Sequence, residues 1–226
     1  MTMSMAKTKP LAVLLHGIMR SSRCMNKLEK ELESQGYETL NIDYPSIKHQ
    51  IHELAAQVAE QINDAAKPGQ EVHLVGFSMG GLLIRALLHD YNIEPLGRVV
   101  MIGTPNHGSE VADFMHQFWL FERLYGPAGQ QLITDQQEID WWHDTIDYEL
   151  GIIAGDLSLL GGGWWLISGD NDGLVSVEST KLEGMADHIT LPCWHTVMPS
   201  DNEVIAQTSA FLRTGRFHHE QTKQAV

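Results

Sequence analysis

The chain has 226 residues, 43% of them hydrophobic and 19% charged, which is typical of a globular protein with a sizeable core. The net charge of −14 argues against nucleic acid or an anionic membrane as the main partner, because phosphate binding needs clustered Lys and Arg. The two cysteines, Cys24 and Cys193, imply no disulfide framework. No apolar run has the length of a transmembrane segment or a signal peptide, so we expect a cytoplasmic protein.

Strand-like and helix-like segments alternate along the chain. Short apolar runs indicate strands, and apolar residues at helical spacing indicate helices. In chain order the prediction is a strand at 11–17, a helix at 22–36, a strand at 37–45, a helix at 51–66, a strand at 71–77, a helix at 79–91, strands at 97–105, 150–155 and 187–193, and a helix at 202–215. This alternation is typical of an open parallel sheet with helices on both faces.

One block, approximately 110–168, breaks the alternation and holds five of the six tryptophans. We interpret it as a cap-like or lid-like insertion over a pocket, since long irregular insertions in compact domains usually carry function. The alternative is an outer layer packed by large aromatic side chains. We expect residues 1–226 to form a single domain that ends in a polar tail at 216–226.

The stretch "GFSMG", residues 76–80, fits the pattern G-x-S-x-G between a predicted strand and a predicted helix. In that context the pattern indicates a nucleophilic serine, Ser78, on a sharp turn that only flanking glycines permit. The alternative role for Ser78 is a simple helix N-cap.

Several stretches together resemble the α/β-hydrolase fold, and more closely its small bacterial lipases and esterases. They are "LLHGIM" at 14–19, "GFSMGG" at 76–81, "GTPNHGSEVAD" at 103–113 and "NDGLVS" at 171–176. Only about ten residues precede the first predicted strand, so we expect the family's first two antiparallel strands to be absent. The resemblance therefore implies a reduced α/β-hydrolase fold, with about six parallel strands flanked by helices and a cap-like insertion before the fifth strand.

The fold also implies a Ser-Asp-His catalytic triad in that chain order. Of the twelve histidines, only His195 follows the last predicted strand and precedes the final helix, which is where the family carries its base. His107 is the runner-up. Three aspartates compete for the acid: Asp172 precedes Gly-Leu-Val as in bacterial lipases and is preferred, while Asp170 and Asp156 remain alternatives that otherwise belong to Asx-type turns.

The oxyanion hole is expected from backbone N–H groups, those of Met79 and of Ile18, with Met19 as the alternative to Ile18. Arg20, beside this loop, either contacts an anionic leaving group or is a solvated surface residue. No metal or cofactor motif survives inspection: "HQIHE" at 49–53 lacks the spacing of a zinc helix, and "DNDG" at 170–173 lacks the final glutamate of a calcium loop. No cofactor is implied.

The sequence thus predicts a serine hydrolase that cleaves a small-molecule ester or thioester through an acyl-enzyme. The aromatic residues of the insertion favour an apolar acyl group, and the cytoplasmic expectation favours a carboxylesterase or acyl-thioesterase. The alternatives are an acyltransferase on the same fold and a non-catalytic ligand-binding protein that retains it.

Replacement of Trp119 or Phe121 by alanine tests the cap. If these aromatics cover the acyl site, kcat/KM falls more for long-chain than for acetyl p-nitrophenyl esters, because only a long chain reaches them. Equal losses for every chain length contradict the cap and favour the outer-layer interpretation.

Overall fold

Six parallel strands form the single sheet of the computed structural model, which describes residues 8–109, 126–129, 131, 145–158 and 167–219. The strands are β1 (Leu11–Leu15), β2 (Glu38–Ile42), β3 (Val72–Phe77), β4 (Leu96–Ile102), β5 (Leu150–Gly155) and β6 (Asp187–Leu191). Their order is β2-β1-β3-β4-β5-β6, and every neighbouring pair is parallel. The predicted α/β fold with six parallel strands is confirmed.

Four helices begin and end close to the predicted positions: α1 (Asn26–Ser34), α2 (Ile51–Ala65), α3 (Met79–Asp90) and, after the single turn α4 (Val177–Thr180), α5 (Asn202–Thr214). The turn α4 was not predicted. A 3-10 turn at Ser22–Met25 leads into α1, and another at His195–Ser200 precedes α5. The Asp201 carboxylate accepts the N–H groups of Glu203 and Val204 at the start of α5, and Gly215, at φ 74°, ends that helix.

Two apolar layers enclose the sheet. Because successive residues of a strand point to opposite faces, Val13 and Leu74 pack with α2 and α3, while Leu14 and Val75 pack with α1 and α5. Both faces of β1, β3 and β5 are therefore buried, which explains their continuous apolar runs. The loops that leave the carboxyl ends of the strands remain free for function, as is usual for open parallel sheets.

The proposed cap lies largely outside the described residues, as do Trp119 and Phe121. The range 110–168 is divided by β5, a fully buried strand of the core sheet. Part of the expected polar tail at 216–226 is packed. The Phe217 ring lies against the Phe211 ring, and the Phe217 backbone N–H donates to Asp187 Oδ2 at 2.8 Å. No helix in the part of the chain that the structure describes is long and apolar enough to cross a membrane.

Gly76 at the end of β3 should not tolerate a side chain. Its Cβ would lie 2.5 Å from the backbone of Gly80 and Gly81, so Gly76→Ala should lower the free energy of unfolding by about 3 kcal/mol, the upper range for overpacking. Gly69→Ala is the control, because nothing lies within 4 Å of its Cβ and only its φ of +73° is strained, at a cost of about 1 kcal/mol. Urea denaturation of both variants measures the difference, and equal losses would contradict the tight contact.

Candidate active site

Ser78 occupies a sharp turn between β3 and α3. Its φ of 54° and ψ of −122° are strained for a residue with a Cβ, by about 1–3 kcal/mol. The turn is held by hydrogen bonds from the Ser78 N–H to the Ile102 carbonyl (2.8 Å) and from the Gly81 N–H to the Ser78 carbonyl (2.9 Å). The Ser78 side chain forms no capping hydrogen bond with α3, so the N-cap interpretation has no support.

Close backbone packing explains why the turn is flanked by glycines. A Cβ on Gly80 would overlap the carbonyl oxygen of Leu15 at the end of β1, and a Cβ on Gly76 would strike the first turn of α3. The Cβ of Ser78 itself would lie 3.2 Å from a Cβ placed on Gly17, in the loop after β1. The loop after β1 and the turn after β3 therefore meet at the carboxyl edge of the sheet.

His195 lies between Ser78 and Asp172. Its Nε2 is 3.0 Å from Ser78 Oγ, and its Nδ1 is 2.6 Å from Asp172 Oδ2. All three residues are buried, with exposed fractions of 8% for Ser78, 6% for His195 and 4% for Asp172. These distances lie in the range of a nucleophile, a general base and an orienting acid.

The Asp172 carboxylate is held at both oxygens. Oδ2 faces His195, while Oδ1 accepts the N–H groups of Leu174 (3.0 Å) and Val175 (2.8 Å). The main chain adds a further link, because the His195 N–H donates to the Asp172 carbonyl at 3.0 Å. Two N–H groups therefore hold the Asp172 carboxylate in place, and the third holds the Asp172 backbone next to His195.

Asp172 lies beside the end of β5 although the loop 157–169 separates them along the chain. A Cβ on Gly155, the last residue of β5, would be 2.8 Å from the Asp172 Cβ. The glycine leaves room for the returning chain, so Asp172 occupies the strand-end position that Asp156 would have by sequence alone. Sequence reasoning did not single out Gly155, whose signal is a glycine at the end of a buried strand.

The two alternative aspartates are exposed and engaged through their backbones. The Asp156 N–H donates to the Leu191 carbonyl at 3.1 Å, and the Asp170 carbonyl accepts the Val177 N–H at 2.8 Å. The His195 Nδ1 bonds to Asp172, not to either of them. Asx-type bonds in this loop come from Asp172 itself and from Asn171, whose Oδ1 accepts the Gly173 N–H at 3.0 Å.

The loop after β1 carries the remaining predicted site residues. Met19 has a φ of 55°, and its N–H group donates to Ser46 Oγ at 3.1 Å. Because the Met19 N–H group is already engaged, the N–H group of Ile18 is the better candidate oxyanion donor. Met79 is the first residue of α3 and is fully buried. Its N–H belongs to the group at a helix start that lacks an intrahelical acceptor. Sequence reasoning missed Ser46; its signal is a hydroxyl residue just after β2, at the carboxyl edge.

A buried histidine and a buried tyrosine pack against each other next to the loop after β1. The His16 ring stacks on the Tyr44 ring, with centroids 4.0 Å apart, and His16 Nε2 accepts the Tyr44 N–H at 3.3 Å. Burial lowers the pKa of His16, which keeps the ring neutral so that Nε2 can accept. Its Nδ1 lies 2.8 Å from the Gly17 carbonyl oxygen and donates to it. His16 is thus a structural residue.

The alternative base, His107, lies outside this hydrogen-bonded series, and the buried thiol of Cys193 is not ionised. His107 is exposed and its Nε2 lies 3.0 Å from the Lys181 carbonyl oxygen. Burial, with the nearby charges of Asp201 and Asp172, raises the pKa of Cys193 to about 11, so its thiol stays protonated near neutral pH.

The parallel sheet, the strained serine turn after β3 and the chain order Ser78, Asp172, His195 define an α/β-hydrolase fold. Within that fold the chain belongs to the palmitoyl protein thioesterase family, whose sequence model matches residues 12–150. The matched residues include Ser78 and end before Asp172 and His195. The contacts of His195 with Ser78 and Asp172 are seen only in the tertiary structure.

One curated relative is the lysosomal thioesterase PPT2 homolog of Drosophila melanogaster. It is 26% identical over 150 residues, which are 60% of this chain and 50% of that protein. The chain thus spans about half the length of this relative.

Solved structures show the same fold. The lipase BlEst2 of Bacillus licheniformis, in its mature form, is 24% identical with a TM-score of 0.74, over 92% of this chain and 93% of that one. The esterase RhEst1 of Rhodococcus sp. ECU1013 is 16% identical with a TM-score of 0.58, over 91% of each chain.

Asp172→Asn should lower kcat/KM by about 10⁴-fold, because the histidine is then held in the wrong tautomer. The Leu174 and Val175 N–H groups require an acceptor at Oδ1, so the amide oxygen stays there and the NH₂ group faces His195. Nδ1 must then accept, and the proton moves to Nε2, which can no longer take one from Ser78. Ester hydrolysis measures the loss.

Asp156→Asn and Asp170→Asn are the matched controls, since both side chains are exposed and both changes remove the same charge. They should cost only a few-fold, through loop geometry. A large loss in either, with an active Asp172→Asn enzyme, would remove Asp172 from the acid role.

Proposed function

We propose that the protein is a serine hydrolase that cleaves a carboxylic ester or thioester through an acyl-enzyme. The observation that carries the proposal is the buried hydrogen-bonded series Ser78, His195 and Asp172, with heavy-atom distances of 3.0 and 2.6 Å. Membership of a thioesterase family and the esterase fold of the solved neighbours support the reaction class.

Acylation begins with His195 Nε2 taking the Ser78 proton as Oγ attacks the substrate carbonyl carbon. The oxyanion that forms is bound by the N–H groups of Met79 and Ile18, each contributing about 3 kcal/mol to transition-state stabilisation. The imidazolium then returns the proton to the leaving alcohol or thiol, and the ester bond to Ser78 remains. Water, activated by the same imidazole, hydrolyses this ester and regenerates the serine.

Asp172 acts through the histidine. It accepts the Nδ1 proton, which leaves the Nε2 lone pair free to face Ser78 Oγ, and its negative charge stabilises the imidazolium. The strained turn holds Oγ in place without reorganisation at the moment of attack.

The substrate is proposed to be a small-molecule ester or thioester with an apolar acyl group. The family name and the thioesterase relative support a thioester, and the five tryptophans of the 110–168 block support an apolar acyl chain. The cap over that chain and the cytoplasmic location both stay predictions.

Ser78→Ala should lower turnover of p-nitrophenyl butyrate and of a matched acyl thioester by about 10⁴–10⁶-fold, since the hydroxyl supplies the covalent step. The variant should also lose labelling by a fluorophosphonate probe, detected as an adduct on the Ser78 peptide by mass spectrometry. Ser34→Ala, at an exposed serine of α1, is the control and should keep both activities.

Thermal unfolding of Ser78→Ala should match that of the original protein, because the Ser78 backbone bonds do not involve its hydroxyl. Full hydrolysis by this variant would overturn the acyl-enzyme mechanism. Labelling of Ser78 without turnover of any ester or thioester would favour the non-catalytic ligand-binding alternative.

A further inference from the structure

A basic cleft opens at the start of α1. It has a volume of about 420 Å³, and its lining includes Arg20, Arg23, Lys27, Lys30, Thr196 and Ser200. None of the residues that line it is acidic. The chain has 29 acidic and only 15 basic residues, so four cations around one cleft stand out against the overall charge.

The four cations of this basic cleft have no carboxylate partners among the residues that the structure describes. Some cations outside the cleft do have carboxylate partners, as Lys67 has Glu38 and Lys181 has Glu178. Arg23, Lys27 and Lys30 follow one another at helical spacing, so their like charges repel and oppose helix formation. An anion bound between them would remove that repulsion.

The basic cleft adjoins the proposed catalytic residues through two chain connections. Arg20 follows the loop of Ile18 and Met19, and its Nη2 lies 3.4 Å from the carbonyl oxygen of Thr196, the residue after His195. Lys27 Nζ donates to the Ser200 carbonyl and to Asn202 Oδ1, both at 2.7 Å, and so joins α1 to the turn that carries His195. The basic cleft is therefore lined on one side by the turn that carries His195, through Thr196 and Ser200.

We propose that the basic cleft binds a phosphate group on the leaving part of the substrate, so that the cleaved ester or thioester has a phosphorylated alcohol or thiol on its far side. This inference rests on the proposed hydrolase function and specifies its substrate class. The phosphate is bound and not cleaved; the only bond that breaks is the one between the acyl carbon and the alcohol oxygen or thiol sulfur.

The chemistry of the side chains favours phosphate in this position. Arginine presents a planar fork of donors that matches phosphate oxygens, and lysine adds point charges around it. Exposed cations on an acidic protein also form a local positive field that attracts an anionic substrate to the catalytic edge. The acyl chain, which is apolar, has no matching surface among these four cations.

Binding of free leaving groups tests the cleft without any hydrolysis. Titration calorimetry would compare CoA with pantetheine, which has the same thiol arm and no phosphate. CoA should bind more tightly, and the double variant Arg23→Gln/Lys30→Gln should weaken CoA by about tenfold or more, the usual range for lost charge-assisted hydrogen bonds. Pantetheine reports any general damage to the site.

The matched control is Lys9→Gln/Arg213→Gln, which removes the same charge at exposed positions outside the cleft. It should leave the ratio of CoA to pantetheine affinity unchanged. Lys27 is not replaced, because its hydrogen bonds join α1 to the following elements.

A third probe, sn-glycerol 3-phosphate, distinguishes a phosphorylated alcohol from a phosphorylated thiol. If sn-glycerol 3-phosphate binds, loses affinity in the cleft variant, and CoA does not bind, the leaving group is a phosphorylated alcohol, as in a phospholipid-type ester. If CoA binds through the cleft and sn-glycerol 3-phosphate does not, the leaving group is a phosphorylated thiol. The proposal is overturned if no phosphate-bearing probe binds more tightly than pantetheine, or if the control variant weakens binding equally.

Kinetics separate this proposal from the proposed function. The variant Arg23→Gln/Lys30→Gln should raise the KM for palmitoyl-CoA but not the KM for S-palmitoyl pantetheine. The ratio of the first KM to the second should therefore rise by about tenfold. An active enzyme with an unchanged ratio contradicts the phosphate site alone. A protein that binds CoA through the cleft but cleaves neither these thioesters nor p-nitrophenyl butyrate contradicts the hydrolase function alone.

Discussion

The close approach of α3 to the ends of β1 and β3 is the constraint on which the candidate site depends. Only hydrogen fits at Gly76 and Gly80, where one backbone meets another. This packing forces Ser78 to a positive φ, and the burial of the whole first turn of α3 offsets the strain. A serine held this way keeps its Oγ toward His195 before any substrate binds, which is the preorganisation that acyl transfer requires.

The second half of the site depends on main-chain hydrogen bonds rather than on side-chain packing. The Asp172 loop accepts three N–H groups, from Leu174, Val175 and His195, at distances from 2.8 to 3.0 Å. The bonds from Leu174 and Val175 lie within the segment after β5, and the bond from the His195 N–H ties that segment to the chain after β6. The burial of Asp172 and His195 strengthens their mutual interaction, because a low local dielectric screens it less.

The two proposals together assign a direction to the substrate. In the proposed arrangement the substrate carbonyl group would lie between Ser78 and the loop after β1, and the leaving group would extend past Arg20 toward the basic cleft on α1. The charge distribution of the chain fits this arrangement, because four cations and no carboxylate line the basic cleft of a protein whose net charge is −14.

Local patterns determined most of the fold. The apolar runs and the helical spacings predicted all six strands and four of the helices within a few residues, and "GFSMG" located the serine turn. These features could be predicted because a buried strand and a glycine-flanked turn each require particular residue types at neighbouring positions. The sequence by itself also left three aspartates as possible acids. Only the tertiary structure decided which of them meets His195, because Asp172 reaches Gly155 and His195 through contacts between residues far apart in the chain. The Ser46 contact to Met19 and the convergence of α1 with the His195 turn were hidden for the same reason.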